Sequence, residues 1–538
     1  MGDAACFIPN FRHRKSLCFF RLAAMPISER DLGILSGEPM TGFLENISLG
    51  LSVAFSTANL LYCFAGVFIG TLIGVLPGIG PAGTISLLLP ITYGVSPVSA
   101  IIMLAGIYYG AQYGGSTTSI LVNIPGESTA VVTCLDGYQM TRQGRAGPAL
   151  GIAAFGSFIA GTIGAIILMF TAQPLAEFGL KFGPPEYFSL MVLALTILTY
   201  FASGSMVKAI IMGILGIGLS QIGIDIVTGK TRLTFGITNL EDGLGLVPLV
   251  MGLFGIGEIL TNLEELGEVE VFKTKIKGLL PNLRDWKDSA GPIIRGSFLG
   301  FFLGILPGAG GIIATFFSYA MEKKVSKHPE KFGTGIIEGV AGPESANNAA
   351  SSGAFIPLFT LGIPSNPITA LLLGALMIHG LQPGPFLISK HPDVFWGTVM
   401  SMYLGNVLLL ILNLPLIGLW VKLLKVPYRF LFPFLLFFCV IGSYSINNNT
   451  FDVLIMFIFG IIGYLFKKFK YEAAPLVLAF ILGPMLENSL RQSLLMSGGS
   501  LSVFYSRPIS IVFLAIALLI LLSSIFTRKG RGTLAKLG

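Results

Sequence analysis

The strongest constraint in this sequence is a Gly-Pro-rich segment that interrupts bilayer-length apolar sequence twice. Leu72-Ile-Gly-Val-Leu-Pro-Gly-Ile-Gly80 recurs as Phe302-Leu-Gly-Ile-Leu-Pro-Gly-Ala-Gly310, about 230 residues later. A second breaker follows each copy: Ile124-Pro-Gly-Glu-Ser128 after the first, Ile363-Pro-Ser-Asn-Pro367 after the second. Backbone groups freed by a broken helix at membrane depth must be buried in protein or line a wet cavity. Paired interruptions in matching halves mark the binding site of a secondary transporter. The expected helix breaks are therefore Pro77, Gly78, Gly80 and Pro125 in one half, and Pro307, Gly308, Gly310 and Pro364 in the other.

Composition sets the class. The 538 residues are 53% hydrophobic and 11% charged, against about 25% charge in a soluble domain. That implies an all-α polytopic membrane protein, with room for roughly ten to fourteen segments. The net charge of +7 comes from basic residues in short loops, which reads as membrane topology and not as a nucleic-acid surface. Five cysteines without close pairing suggest neither a disulfide framework nor a metal site. Gly78-Ile-Gly-Pro-Ala-Gly83 matches the dinucleotide fingerprint by letters, but lacks the preceding short strand, and Pro81 interrupts the turn. With no Walker A pattern either, no cofactor is expected.

The clearest spans fall near 46–75, 97–111, 149–171, 187–203, 205–224, 245–261, 394–420, 430–446, 451–466, 473–487 and 508–527. Breaker-rich regions 76–128 and 305–368 read as half-helices and re-entrant pieces. Trp396 and Trp420 bracket about 36 Å of helix, which suits interfacial anchors. Residues 1–40 read as a disordered extension or an over-called start, with initiation at Met25 or Met40. The remaining divisions are a first transmembrane repeat (41–262), a polar connector (263–292), a second repeat with C-terminal helices (293–527), and a basic tail (528–538). Scattered glycines such as Gly213, Gly216 and Gly218 read as helix-packing contacts.

Loop charges give orientation. Arg528, Lys529 and Arg531 place the C-terminus in the cytoplasm, and Lys467, Lys468, Lys470, Lys422, Lys425 and Arg429 fall on the same side. Within the two repeats the bias reverses. Thr92–Ser96 is uncharged where its counterpart carries Lys323, Lys324, Lys327 and Lys331. Arg142 and Arg145 follow the first copy of the second breaker, whereas Gly380–Pro385 carries no basic residue. Opposite bias at equivalent positions implies two inverted-topology repeats.

Polar residues concentrate around the breakers. Substrate-binding candidates are Ser116, Thr117, Thr118, Asn123, Gly126 and Ser128 in the first half, with Asn347, Asn348, Ser365 and Asn366 in the second. Neutral hydroxyls, amides and helix N-termini favour a carboxylate and still allow its release. For a single serine or threonine, back-bonding to its own helix is the competing reading. Glu127, Asp136 and Glu344 are candidates for a coupling Na+ or proton, since intramembrane acids are costly without a role; a loop position is the alternative. Lys208 reads either as a counter-charge for an anion or as a snorkelling end residue.

At these motifs the chain resembles the large membrane subunit of the tripartite tricarboxylate transporter family. The resemblance rests on Gly74–Pro81, Ala105–Thr118, Asn123-Ile-Pro-Gly-Glu127, Asp136–Met140, Arg142–Gly147, Pro343-Glu-Ser-Ala-Asn-Asn348 and Thr360-Leu-Gly-Ile-Pro-Ser-Asn366, and spans about residues 41–525. It implies uptake of di- or tricarboxylates such as citrate across a bacterial inner membrane, driven by a cation gradient. It also implies two partners, a small membrane subunit and an extracytoplasmic solute-binding protein. An anion channel is the runner-up. A polytopic membrane enzyme is weaker, because no reactive constellation accompanies the four histidines.

Overall fold

The computed structural model describes residues 39–76, 80–200, 205–225, 227–264, 278–308, 310–423 and 428–534. Pro77, Gly78, the N-terminal stretch to residue 38, and residues 265–277 of the 263–292 connector lie outside them. The chain forms two compact units, residues 1–48 and 49–538. The described part of the first is the start of helix α1 (Pro39–Ala54).

The second unit is helical, with one short antiparallel hairpin, β1 (Gly223–Ile224) and β2 (Thr231–Arg232). Its helices begin with α2 (Thr57–Val75), α3 (Gly80–Leu88), α4 (Pro97–Val122), α5 (Thr133–Arg142), α6 (Ala146–Gly179), α7 (Pro184–Tyr200) and α8 (Met206–Ser220). Then come α9 (Leu246–Glu264), α10 (Leu283–Gly304), α11 (Gly310–Val325), α12 (Glu338–Leu361), α13 (Pro367–Ile378), α14 (Pro385–Lys390), α15 (Pro392–Asn413) and α16 (Ile417–Leu423). The series closes with α17 (Tyr428–Asn447), α18 (Thr450–Lys468), α19 (Ala474–Met496), α20 (Ser502–Ser506) and α21 (Pro508–Leu534). Among the described residues, α2, α6, α9, α15 and α18 are long and apolar enough to cross a bilayer. At 34 residues, α6 runs about 51 Å, well beyond a hydrocarbon core of about 30 Å.

Several expected spans are redrawn. The 46–75 stretch is two helices, because Ser56 leaves helical geometry and its hydroxyl caps Asn59 N–H. The 97–111 span continues to Val122 as α4, so the first breaker-rich region holds a full-length helix, as the second does in α12. The 394–420 span divides into α15 and α16. Trp396 and Trp420 are buried there instead of sitting at an interface, and Trp420 Nε1 donates to Leu412 O at 2.9 Å. Residues 283–292 of the connector are already helix α10, started by an Asn282–Asp285 capping box.

Two helix pairs share one packing scheme. In α2, Gly66, Gly70 and Gly74 lie so close to α4 that a Cβ would strike the carbonyl oxygens of Met103, Ile107 and Ala111. In α10, Gly296, Gly300 and Gly304 meet those of Gly342, Ala346 and Ala350 in α12. The glycines are offset by 230 positions and their partners by 239. Lipid offers apolar side chains nothing they lack inside the protein, so such close backbone approach, not side-chain burial, drives helix association. Gly216 packs likewise against Leu476 O, whereas Gly213 and Gly218 have open space around them.

Charged side chains fasten the periphery. Asp225 in the hairpin pairs with Arg232 at 2.5 Å and Arg491 at 3.1 Å. The Thr228 hydroxyl, helped by both guanidinium groups, holds its carboxyl well below the usual carboxylate range. Asp136, on α5, is buried. It accepts hydrogen bonds from Tyr319 Oη at 2.8 Å and from the N–H groups of Gly333, Gly335 and Ile336 at 2.7–3.0 Å. That converging set of amides orders the turn leading into α12. Asp136→Asn is expected to destabilise the protein by about 2–4 kcal/mol, since an amide cannot accept four charge-assisted bonds. A thermal-unfolding shift of the detergent-solubilised variant checks this.

Candidate functional site

Both second breakers stop their helices in the same way. Residue 123 ends α4 and residue 362 ends α12, each in left-handed geometry (Asn123 φ 59°, Gly362 φ 70°). Glycine and asparagine adopt that conformation at least cost. Pro125 and Pro364 follow within two residues and cannot restart a helix. Pro307 and Gly308 lie in the non-helical turn between α10 and α11, while α3 begins at Gly80 and α11 at Gly310.

The breakers of each half lie against one another. Gly126 packs on Gly115 and the Gly74 carbonyl, a fit that a side chain would prevent. Thr118 Oγ1 donates to Val75 O at 2.9 Å, satisfying a carbonyl at the end of α2. In the second half, Gly308 N–H donates to Ser365 O at 2.7 Å.

The two halves then meet in a matched pair of contacts. Asn347 Nδ2 of α12 donates to Glu127 Oε1 at 3.2 Å, and Asn366 Nδ2 donates to Tyr108 Oη of α4 at 2.9 Å. Tyr108 and Asn347 are 239 positions apart, as are Glu127 and Asn366. Each breaker thus reaches the same point on the other half's long helix. Along that crossing the Tyr108 ring lies tilted against Phe355 (6.1 Å between centroids) while Ser116 contacts Glu344. Rising residue number on α4 therefore meets falling number on α12.

Between these loops lies a cavity of about 600 Å³, within the range of small-molecule sites. Gly80, Pro125, Gly126, Glu127 and Ser128 line it from the first half, and Gly308, Asn366 and Pro367 from the second. Tyr108 and Gln112 contribute from α4, Phe254 and Glu258 from α9, and Phe466 and Lys467 from α18. Residues 251–256 of α9 form a π-helical turn, a feature that recurs at functional sites. Gln112 Oε1 and Asn347 Oδ1 are buried and have no hydrogen-bond partner among the described residues. Gln112 lines the cavity with Glu127, and Asn347 hydrogen-bonds Glu127 through its Nδ2, so two unpartnered amide oxygens, hard ligands of the kind a small cation takes, accompany that carboxylate.

The candidates of the sequence distribute unevenly over this site. Gly126, Ser128, Asn366 and Glu127 line the cavity, and Asn347 reaches it through Glu127. Ser116 and Thr133 hydroxyls hydrogen-bond Glu344, which is fully buried behind it. Thr117 back-bonds to Tyr113 O at 3.3 Å, and Thr118 is spent on α2. Asn348 donates to Ser157 Oγ at 2.6 Å, Ser365 Oγ to Ala354 O at 3.2 Å, and Asn123 serves as a helix cap. Asp136 is taken up by its turn. Lys208 donates to Phe469 O at 2.6 Å and lies 4.5 Å from the Tyr471 ring centroid, closing the end of α18.

Glu258 and Lys467 belong to the cavity without having been marked in the sequence as site residues. Lys467 is indistinguishable there from its neighbour Lys468, and only helical phase turns one of them inward. Tyr108 stood inside a quoted motif, but its pairing with Asn366 required the loop geometry.

Residues 60–478 match the family described as "Tripartite tricarboxylate transporter TctA family". An uncharacterized 52.8 kDa protein of Agrobacterium vitis, in the TAR-I ttuC' 3' region, is 51% identical over 479 residues, covering 89% of this chain and 95% of that protein. An uncharacterized protein in the TAR-II ttuC' 3' region of the same organism is 53% identical over 234 residues, covering 43% of this chain and 97% of that one. No solved structure matches.

Proposed function

Because the chain belongs to the tripartite tricarboxylate transporter TctA family, we propose that it is the carboxylate-conducting permease subunit of a binding-protein-dependent importer. In this reading it sits in a bacterial inner membrane with its C-terminus in the cytoplasm. It works with a small membrane subunit and an extracytoplasmic solute-binding protein to take up a di- or tricarboxylate of the citrate kind. The observation that carries the reading is one cavity lined by breaker residues of both halves.

Alternating access follows from inverted repeats. The matched Glu127–Asn347 and Asn366–Tyr108 contacts, the shared glycine packing and the opposed course of α4 and α12 support that arrangement. Neutral groups such as Ser128, Asn366 and Tyr108 meet the carboxylates, with backbone N–H groups at the start of α13 behind them.

The same cavity argues for a co-transported cation. Its described lining carries Glu127, Glu258 and Glu472 against one ammonium, that of Lys467. An anion entering beside Glu127 is repelled unless a positive charge comes with it. A Na+ ion or proton held by Glu127, with Gln112 Oε1 and Asn347 Oδ1 as further donors for the ion, supplies that charge.

Proteoliposomes holding the complete three-component system, loaded with citrate and other carboxylates through the binding protein, test the reading. Uptake is expected to follow an imposed Na+ or proton gradient. Uptake that continues unchanged after both gradients are collapsed rejects it.

A further inference from the structure

Helices α9 and α18 supply a further part of the cavity lining. There Lys467 Nζ forms an ion pair with Glu258 of α9. Lys467 lines the cavity and yet keeps 40% of its side chain exposed, whereas Gln112 is 2% exposed. The lysine therefore marks one open end of the cavity; Ser128, which also lines it, is exposed as well, and Gln112 lies in its buried part. Lys467 is the one cation among the described lining residues. Two lysines nearby are engaged elsewhere: Lys468 with Glu264 at 3.0 Å and with Tyr464, and Lys208 with the end of α18.

The geometry points to Lys467 as the counter-ion that takes a substrate carboxylate at this open end, with Glu258 as the internal carboxylate that the substrate displaces. The inference rests on the carboxylate-carrier reading. A carboxylate that leaves past α18 meets the one ammonium among the described lining residues. That ammonium already holds a group of the same chemistry, so arrival of substrate exchanges one carboxylate for another without exposing a bare charge. A partly exposed ion pair contributes little to stability and exchanges readily. Glu258 then re-pairs with Lys467 as the substrate departs, which keeps the lysine from retaining it. The π turn of α9, just before Glu258, packs directly on α18 through Gly252 and Gly463, which keeps Glu258 within reach of Lys467.

The test is citrate exchange in proteoliposomes of the full complex, read as half-saturating concentration and maximal rate. Lys467→Met is expected to raise the half-saturating concentration about 10-fold or more, the effect of losing one charge contact, with Lys467→Arg within a few-fold of the parent. Glu258→Gln removes the internal competitor and moves the opposite way, lowering both half-saturation and maximal rate. Lys468→Met, outside the cavity, leaves both unchanged. Wild-type half-saturation in Lys467→Met overturns the proposal, as does a shift of Lys467→Met and Glu258→Gln in the same direction. If Lys467→Met fails to assemble, Glu258→Gln alone decides. A parent protein that exchanges no carboxylate at all contradicts the carrier reading itself, a failure distinct from these.

Discussion

Glu127→Gln is expected to lower gradient-driven carboxylate uptake by about 100-fold, a loss of roughly 2–3 kcal/mol for removing one half-buried charged ligand. The glutamine is nearly isosteric and can still meet Thr129 and Asn347, the two partners of the carboxylate, so the loops keep their shape. What disappears is the charge that the proposed coupling cation answers. Exchange of carboxylate at zero gradient should fall by far less, because Ser128, Asn366 and Tyr108 remain. The split between driven uptake and passive exchange is the decisive readout, since general misfolding lowers both alike. A variant that keeps full response to Na+ and proton gradients would remove Glu127 from the coupling role.

Gly300→Leu is expected to abolish assembly of the folded protein. A Cβ at this position lands on the backbone of Ala346, which cannot move aside as a flexible side chain could. Overpacking a core by a few methylenes costs about 1–3 kcal/mol when side chains can rearrange, and here they cannot. The α10–α12 pair holds both the Pro307 turn and the start of the loop ending in Asn366, so the site is lost with it. Gly70→Leu, against Ile107 in the first half, should behave in the same way. Gly213→Ala is the control: with open space around it, the substitution should be neutral or stabilise by about 0.5–1 kcal/mol through helix propensity. Yield of monodisperse protein by size-exclusion chromatography separates the three. A well-folded Gly300→Leu variant would mean that the close helix approach is not what holds the two elements together.

The parts of this architecture visible in the sequence are those set by local chemistry. Prolines and glycines inside apolar runs mark where helices stop, and α4 and α12 each end two residues before the second breaker. Composition alone fixes the membrane class. Features that depend on how helices meet were hidden. Ser116, Thr117 and Thr118 are equally polar in sequence, yet one faces Glu344, one its own helix and one the end of α2. Helix phase and neighbouring backbone decide among them, and neither is written in residue type. Asp136 illustrates the same limit: an acid in apolar surroundings suggests an ion site, but backbone amides around it make it a turn anchor. Trp396 and Trp420 look like interfacial residues by spacing, and only the division of α15 from α16 shows why they are buried. Glycine spacing in α2 and α10 was legible as letters. Its meaning came from finding partners at a second constant offset.

The central claim is that both breaker loops border one substrate cavity that opens to each side of the membrane in turn. Its most direct measurement places a single cysteine at Ser128 in a background lacking the five natural cysteines, then labels it with a membrane-impermeant maleimide from either side. Labelling is expected from both sides, with protection by a transported carboxylate when the proposed coupling cation is present. Labelling from one side only under every condition, or no protection by any carboxylate that the complex transports, would contradict it.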